Sequence, residues 1–205
     1  MGVSGKDLGT MLLSRPAIVT RTSLNSEKLD YIRKTGISKD SKMYKYVVTL
    51  IAISRNERIR EKFANFEKFG LSDHEILGLF GRAPLMLTLS IDKVQQNMTF
   101  VLDTLKLPAS VILCQPFLLF FNLEAVLKPR VLLVGKIQDM GLVPQIERPA
   151  MIRALRMSER RFVKAFVNCH PKTVAAELMQ FYINAKGVKR LAESSKKNVH
   201  RAFHY

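Results

Sequence analysis

A pattern that returns about every 33 residues constrains this chain more than any other feature. Two stretches align without a gap over 32 positions: Pro84 leads to Ser90-Ile91-Asp92 and Val94, and Pro116 leads to Asn122-Leu123-Glu124 and Val126. Pro16 stands 68 residues before Pro84, about two periods, and Pro149 stands 33 after Pro116. A period of this size marks small supersecondary units, each too small to form a core alone and stable only when packed on its neighbours.

The units read as helix pairs. Ser72-Asp73-His74-Glu75 is a capping box, in which the Ser72 hydroxyl accepts from the Glu75 amide while the Glu75 carboxylate reaches back. Ile76, Leu79, Phe80 and Ala83 then share one apolar face. Pro84 should end that helix, because a residue preceding proline is pushed out of the helical region. Ser90 caps a second helix with Val94, Met98, Val101, Leu102 and Leu105 on one side, and Lys106-Leu107-Pro108 closes the unit. The next unit repeats the scheme over residues 109–114, with Pro116 as the stop and Asn122 as the cap. Pro129 then calls for a kink or a restarted first turn. Ser158 opens a helix with Phe162, Ala165, Phe166 and Cys169 on one face. Pro171 starts another with Val174, Leu178, Phe181, Tyr182 and Ala185 aligned, and Gly187 is its expected C-cap. Upstream, residues 43–53 and 57–69 are helical in pattern, although the proline due near residue 50 is missing. Sustained strand alternation is absent, so the expected fold class is all-α: stacked helix pairs in one array over residues 1–185. The repeats fall at roughly 5–41, 42–70, 71–106, 107–142 and 143–185, followed by a basic tail over 186–205.

Charge narrows the partner. The chain carries 33 Lys and Arg against 17 Asp and Glu, a net +16. Residues 1–68 hold +7, residues 69–142 are neutral, and residues 143–205 hold +9. An excess of this kind concentrates polyanions at the surface and favours nucleic acid or an anionic membrane as partner. The most apolar stretch, 111–126, is interrupted by Gln115, Pro116, Asn122 and Glu124, which is incompatible with a bilayer span, so no membrane partner is expected. Cys114 and Cys169 lack Cys-x-x-Cys spacing and read as reduced core residues. With no glycine-rich phosphate loop and no Ser/His/Asp spacing around a nucleophile, the chain reads as a binding protein, not an enzyme, with no cofactor or metal. His200 and His204 stand four apart in the basic tail without a carboxylate or thiol nearby. Leu8, Leu12 and Leu13 running into Ser14-Arg15-Pro16 repeat the cadence at Pro84. Met1 therefore reads as opening inside a repeat, with a targeting peptide and earlier repeats expected upstream.

Together these residues resemble the repeat of the mitochondrial transcription termination factor (mTERF) family. The resemblance rests on Phe69-Gly70-Leu71-Ser72-Asp73-His74-Glu75-Ile76 with Arg82-Ala83-Pro84, and on Leu127-Lys128-Pro129-Arg130-Val131 with Met140-Gly141-Leu142. The closing stretch from Ser158-Glu159 through Pro171 to Tyr182 is similar to the last repeat of plant-type members. The resemblance implies a right-handed-type superhelix of helix pairs with short 3-10 turns. It also implies nucleic-acid binding in an organelle, mitochondrion or alternatively chloroplast; a monomer is expected. Duplex DNA in transcription regulation or termination is the leading expectation. RNA, in intron splicing or rRNA maturation, is the alternative, and a protein-interaction scaffold is a further one.

No base-contacting residue follows from the motifs, so candidate contacts are chosen by charge. Arg160, Lys164 and Asn168 recur at four-residue intervals opposite Phe162 and Phe166, with Arg161 flanking and Arg153 and Arg156 preceding. Arginine suits phosphate because its planar fork presents two donors together. Lys128 and Arg130 bracket Pro129 near a helix start, where free amides also favour phosphate; the alternative for Arg130 is a structural role, bonding carbonyls of the preceding repeat. Arg15, Arg82 and Arg148 each stand close to a repeat proline and are expected along one ridge.

Overall fold

The computed structural model describes residues 5–14 and 24–201, with side chains described as far as residue 186 except those of 148 and 149. Regular structure among the described residues is entirely helical. The chain forms two compact units, Met1–Phe120 and Phe121–Tyr205. The division falls inside the expected 107–142 repeat.

The first unit contains α1 (Gly5–Ser14), α2 (Ser26–Lys34), α3 (Tyr44–Ile53), α4 (Asn56–Glu67) and α5 (Asp73–Arg82). A 3-10 turn follows at Pro84–Thr88, then α6 (Ile91–Thr99) running into a π-helical turn at Phe100–Thr104, and the short α7 (Val111–Cys114) and α8 (Phe117–Phe120). The centre is α3. Seven of its ten residues are buried, as its almost wholly apolar sequence requires, and α1, α2, α5 and the 3-10 turn all pack on it. The aromatic rings of Phe63 and Phe66 meet Phe80 edge-on at 5.3 and 6.1 Å. One glycine is demanded by close approach: a Cβ at Gly81 would lie 2.9 Å from the Thr35 carbonyl oxygen.

The second unit begins with a π-helical turn, Leu123–Leu127, capped by the Asn122 side chain, and continues as α9 (Lys128–Asp139). The wider turn and Pro129 near the start of α9 show how the chain absorbs the proline: it restarts the helix there. Next come α10 (Arg148–Arg156), α11 (Glu159–Phe166) and α12 (Lys172–Arg201). A core of Leu133, Val134, Ile137, Ala154, Phe162, Phe166, Leu178 and Tyr182 joins α9 to the three helices that follow.

Local boundaries follow the sequence reading. The Ser72–Glu75 capping box forms, Pro84 converts α5 into a 3-10 turn, and Ser90 caps α6. The period also shows where helices end: Gly36, Gly70 and Gly141 are left-handed, with φ of 67°, 79° and 64°. Lys106 takes the same turn at φ 53° without glycine's freedom. Two expectations are corrected. The helix that opens after Pro171 runs through Gly187 to Arg201, so Gly187 is not its cap. Cys114 and Cys169 are free and exposed, not core residues: α7 turns Ile112 inward instead of Cys114, and Cys169 lies in the turn after the helix that buries Phe162 and Phe166.

One device recurs through both units. The Lys28 Nζ, on α2, donates to the Ala52 carbonyl at 2.9 Å. The Lys62 ammonium, on α4, donates to the Leu89 carbonyl, and the Lys93 Nζ, on α6, to the Phe120 carbonyl at 2.8 Å. On α9, the Arg130 guanidinium donates to the Leu155 and Met157 carbonyls at 2.8 and 2.6 Å. In each case a cation from a second helix reaches a carbonyl at the close of the next repeat's first half. Helix ends leave carbonyls without intrahelical partners, and these side chains supply the missing donors. Part of the positive charge is therefore structural.

Candidate nucleic-acid interface

The outer side of α11 is the most concentrated run of uncommitted cations in the described residues. Its eight residues, Glu-Arg-Arg-Phe-Val-Lys-Ala-Phe, hold three cations and one acid. Helical spacing puts Phe162 and Phe166 together on the core side, with their rings 4.8 Å apart. Arg160 and Lys164, four apart, stand on the opposite side, with Arg161 beside them, and all three are exposed. Glu159 is turned toward the core side. Its carboxylate accepts from the Arg130 guanidinium at 3.1 Å, from the Tyr182 hydroxyl at 3.1 Å and from the Lys186 ammonium. Burial pushes the Glu159 carboxyl up, but the Lys186 and Arg130 hydrogen bonds outweigh it and hold the group below the usual carboxylate range. The one acid of the helix, although half exposed, is thus occupied by Arg130, Tyr182 and Lys186. Its outer surface keeps only positive charge.

Arg153 and Arg156, on α10, are exposed as well. Among the described residues, no acid pairs with Arg153, Arg160, Arg161 or Lys164. Such guanidinium and ammonium groups keep their full donor capacity for phosphate.

The other candidates fare differently. Lys128 is exposed but donates to Glu124 at 2.7 Å, one turn earlier. Arg82 is exposed at the end of α5 and belongs to the first unit, whereas the rest belong to the second. The Arg148 side chain and Arg15 lie outside the described residues, so the ridge expected of Arg15, Arg82 and Arg148 is not drawn. Arg130 requires a correction. It is 3 % exposed, its fork is committed to two carbonyls and Glu159, and it stacks 4.7 Å from the Phe162 ring centre. It is no surface phosphate ligand, and the carbonyls it bonds belong to the following segment, not the preceding one.

Charge-based reading also missed residues. Lys28, Lys62 and Lys93 are internal donors, and the signal was available: Lys62, Lys93 and Arg130 each stand 27 residues before an acceptor. In the first unit, Arg55, Arg58 and Lys62 share one face of α4 and its cap. They line a cleft of about 670 Å3 together with Glu61, Ser90 and Asp92. Arg58 there is paired with Glu61 at 2.9 Å, and burial together with the charge of Arg58 lowers the Lys62 pKa. This cleft has mixed charge and lacks the single-sign surface of α11.

A family model, mTERF, matches residues 1–163, about four-fifths of the chain. The chain belongs to the mTERF family. The match covers every helix through α10 and the first five residues of α11. Membership in the mTERF family implies a nucleic-acid partner. Comparison with curated proteins and with solved structures returned no match. No helix among the described residues is long and apolar enough to cross a membrane.

Proposed function

We propose that this mTERF protein binds double-stranded DNA of an organelle genome, in the mitochondrion or alternatively the chloroplast, and acts in the regulation or termination of its transcription. It does so as a monomeric binding protein and not as an enzyme. The observation that carries the reading is the sorting of charge on α11: Glu159 is engaged by Arg130, Tyr182 and Lys186, while Arg160, Arg161 and Lys164 are exposed and unpaired. Arg153 and Arg156 extend the exposed cationic set along α10. The mechanism is neutralisation of backbone phosphates with release of condensed counterions, helped by bending of the duplex toward the cationic residues.

Titrating labelled duplex DNA across salt concentrations tests this directly. If six to ten phosphates are engaged, affinity falls about 10³- to 10⁵-fold between 50 and 200 mM salt. A slope worth only one or two charges defeats the mechanism. Competition with structured and single-stranded RNA tests the ligand: a preference for RNA above about tenfold transfers the same surface to splicing or rRNA maturation.

A further inference from the structure

We propose that Arg130 is a positioning residue for nucleic-acid binding, one that never touches the nucleic acid but sets the helical phase of α11. The inference rests on the binding role given above to the outer face of that helix.

Four contacts of this one side chain fall between residues 155 and 162. Its Nη1 donates to the Leu155 carbonyl in the last turn of α10 and to the Met157 carbonyl in the link. Its Nη2 donates to Glu159 at the first position of α11, and its guanidinium plane lies over Phe162 one turn further on. The end of one helix, the turn and the start of the next are thereby gripped from a single point. Successive residues on a helix differ by about 100°. Fixing Glu159 and Phe162 inward therefore fixes Arg160, Arg161 and Lys164 outward.

The comparison with the lysines explains why an arginine stands here. Lys28, Lys62 and Lys93 each reach a single carbonyl. Two carbonyls and a carboxylate require the planar fork, which a lysine cannot reproduce. Tyr182 and Lys186 hold the same carboxylate from α12, so Glu159 is clamped from both sides. Burial raises the Tyr182 phenol, which keeps its proton for that hydrogen bond at neutral pH.

The test uses the full chain and duplex DNA between 50 and 200 mM salt, with far-UV circular dichroism as the check on folding. Arg130→Lys keeps the charge but gathers the donors on one nitrogen, so the fork is lost. The expected result is near-native helicity with a salt slope reduced by more than one, because contacts from a loosened α11 are lost although no charge has been removed. Arg130→Met should reduce the slope further, by about the two to three contacts of the helix. If the methionine variant does not fold, the lysine variant alone decides. An unchanged slope in a folded Arg130→Lys overturns the proposal, as does a loss of about one confined to Arg130→Met, which marks a direct phosphate contact. A shallow slope in the unsubstituted protein is a separate outcome: it removes the binding role itself, and the positioning role with it.

Discussion

The two units hold almost the same number of cations but offset them with very different numbers of acids. Met1–Phe120 carries 17 Lys and Arg against 11 Asp and Glu, and Phe121–Tyr205 carries 16 against 6. In the first unit eight described cations are held by acids or carbonyls of the same unit. Arg33 and Lys34 pair with Asp30, Lys45 with Asp7, Arg58 with Glu61 and Arg60 with Glu27, while Lys28, Lys62 and Lys93 hold carbonyls. In the second unit the acids are fewer, and the half-exposed Glu159 is held by Arg130, Tyr182 and Lys186, so Arg160, Arg161 and Lys164 are left without an acidic partner among the described residues. Net charge does not locate a binding surface. Partnering does, because a phosphate must compete with whatever already holds the cation.

The sharpest way to break this contrast is to compare the structural cations themselves. Arg130→Met should destabilise the second unit by about 3–5 kcal/mol, since carbonyls and a carboxylate lose their common donor. Lys93→Met should cost the first unit only about 1–3 kcal/mol, the penalty of one unsatisfied carbonyl. Urea unfolding followed by circular dichroism measures both, and equal losses would erase the distinction between fork and single donor.

Next in size is the surface. The double substitution Arg160→Gln with Lys164→Gln should weaken duplex binding roughly ten- to hundredfold and lower the salt slope by about two. Arg33→Gln with Lys34→Gln, the same change in net charge within the first unit, should leave binding within about threefold. Fluorescence anisotropy at several salt concentrations reads both, and comparable losses would show that total charge alone governs affinity.

A packing test separates the first unit from electrostatics. Gly81→Ala pushes a methyl to 2.9 Å from a backbone oxygen and should destabilise by about 1–2 kcal/mol, after allowance for alanine's better helix propensity. Thermal unfolding checks it, and a stabilised variant would contradict the packing of α5 against the end of α2.

Acid should act on the second unit through Glu159. Its folded-state pKa lies below the ordinary value of 4.5, so its contribution is complete above that value and disappears as the pH falls through the lower one. Stability of Glu159→Gln should therefore decline less than that of the unsubstituted protein below about pH 4.5. Parallel decline of the two curves would rule out the clamp as an acid-sensitive element.

The smallest effect is expected at Lys106, which takes a left-handed turn where Gly36, Gly70 and Gly141 stand in the neighbouring repeats. Lys106→Gly should stabilise by about 0.5 kcal/mol, relief of backbone strain offset in part by glycine's entropy. A difference scan of melting temperature is sufficient to detect it.

Helix boundaries were legible because they depend on neighbours within one turn. Pro84 stops α5 and Ser72 and Ser90 cap their helices through interactions three or four residues long. The row of Arg160 and Lys164 was legible for the same reason, as helical spacing alone opposes it to Phe162 and Phe166. The fate of Arg130 and the exposure of Cys114 and Cys169 were not. Arg130 and Lys128 bracket one proline and look alike in the chain, yet one is buried against the following helices and the other pairs with Glu124 in solvent.

From its amino acids alone, this chain determined an all-α repeat, its punctuation by proline and cap, its family and its basic character. Tertiary structure alone decided which cations are available. Those choices join residues 24 to 29 positions apart, as in Lys28 with Ala52 and Arg130 with Glu159. Only the packing of one helix against the next brings such groups within hydrogen-bonding distance, and no local pattern of charge records it.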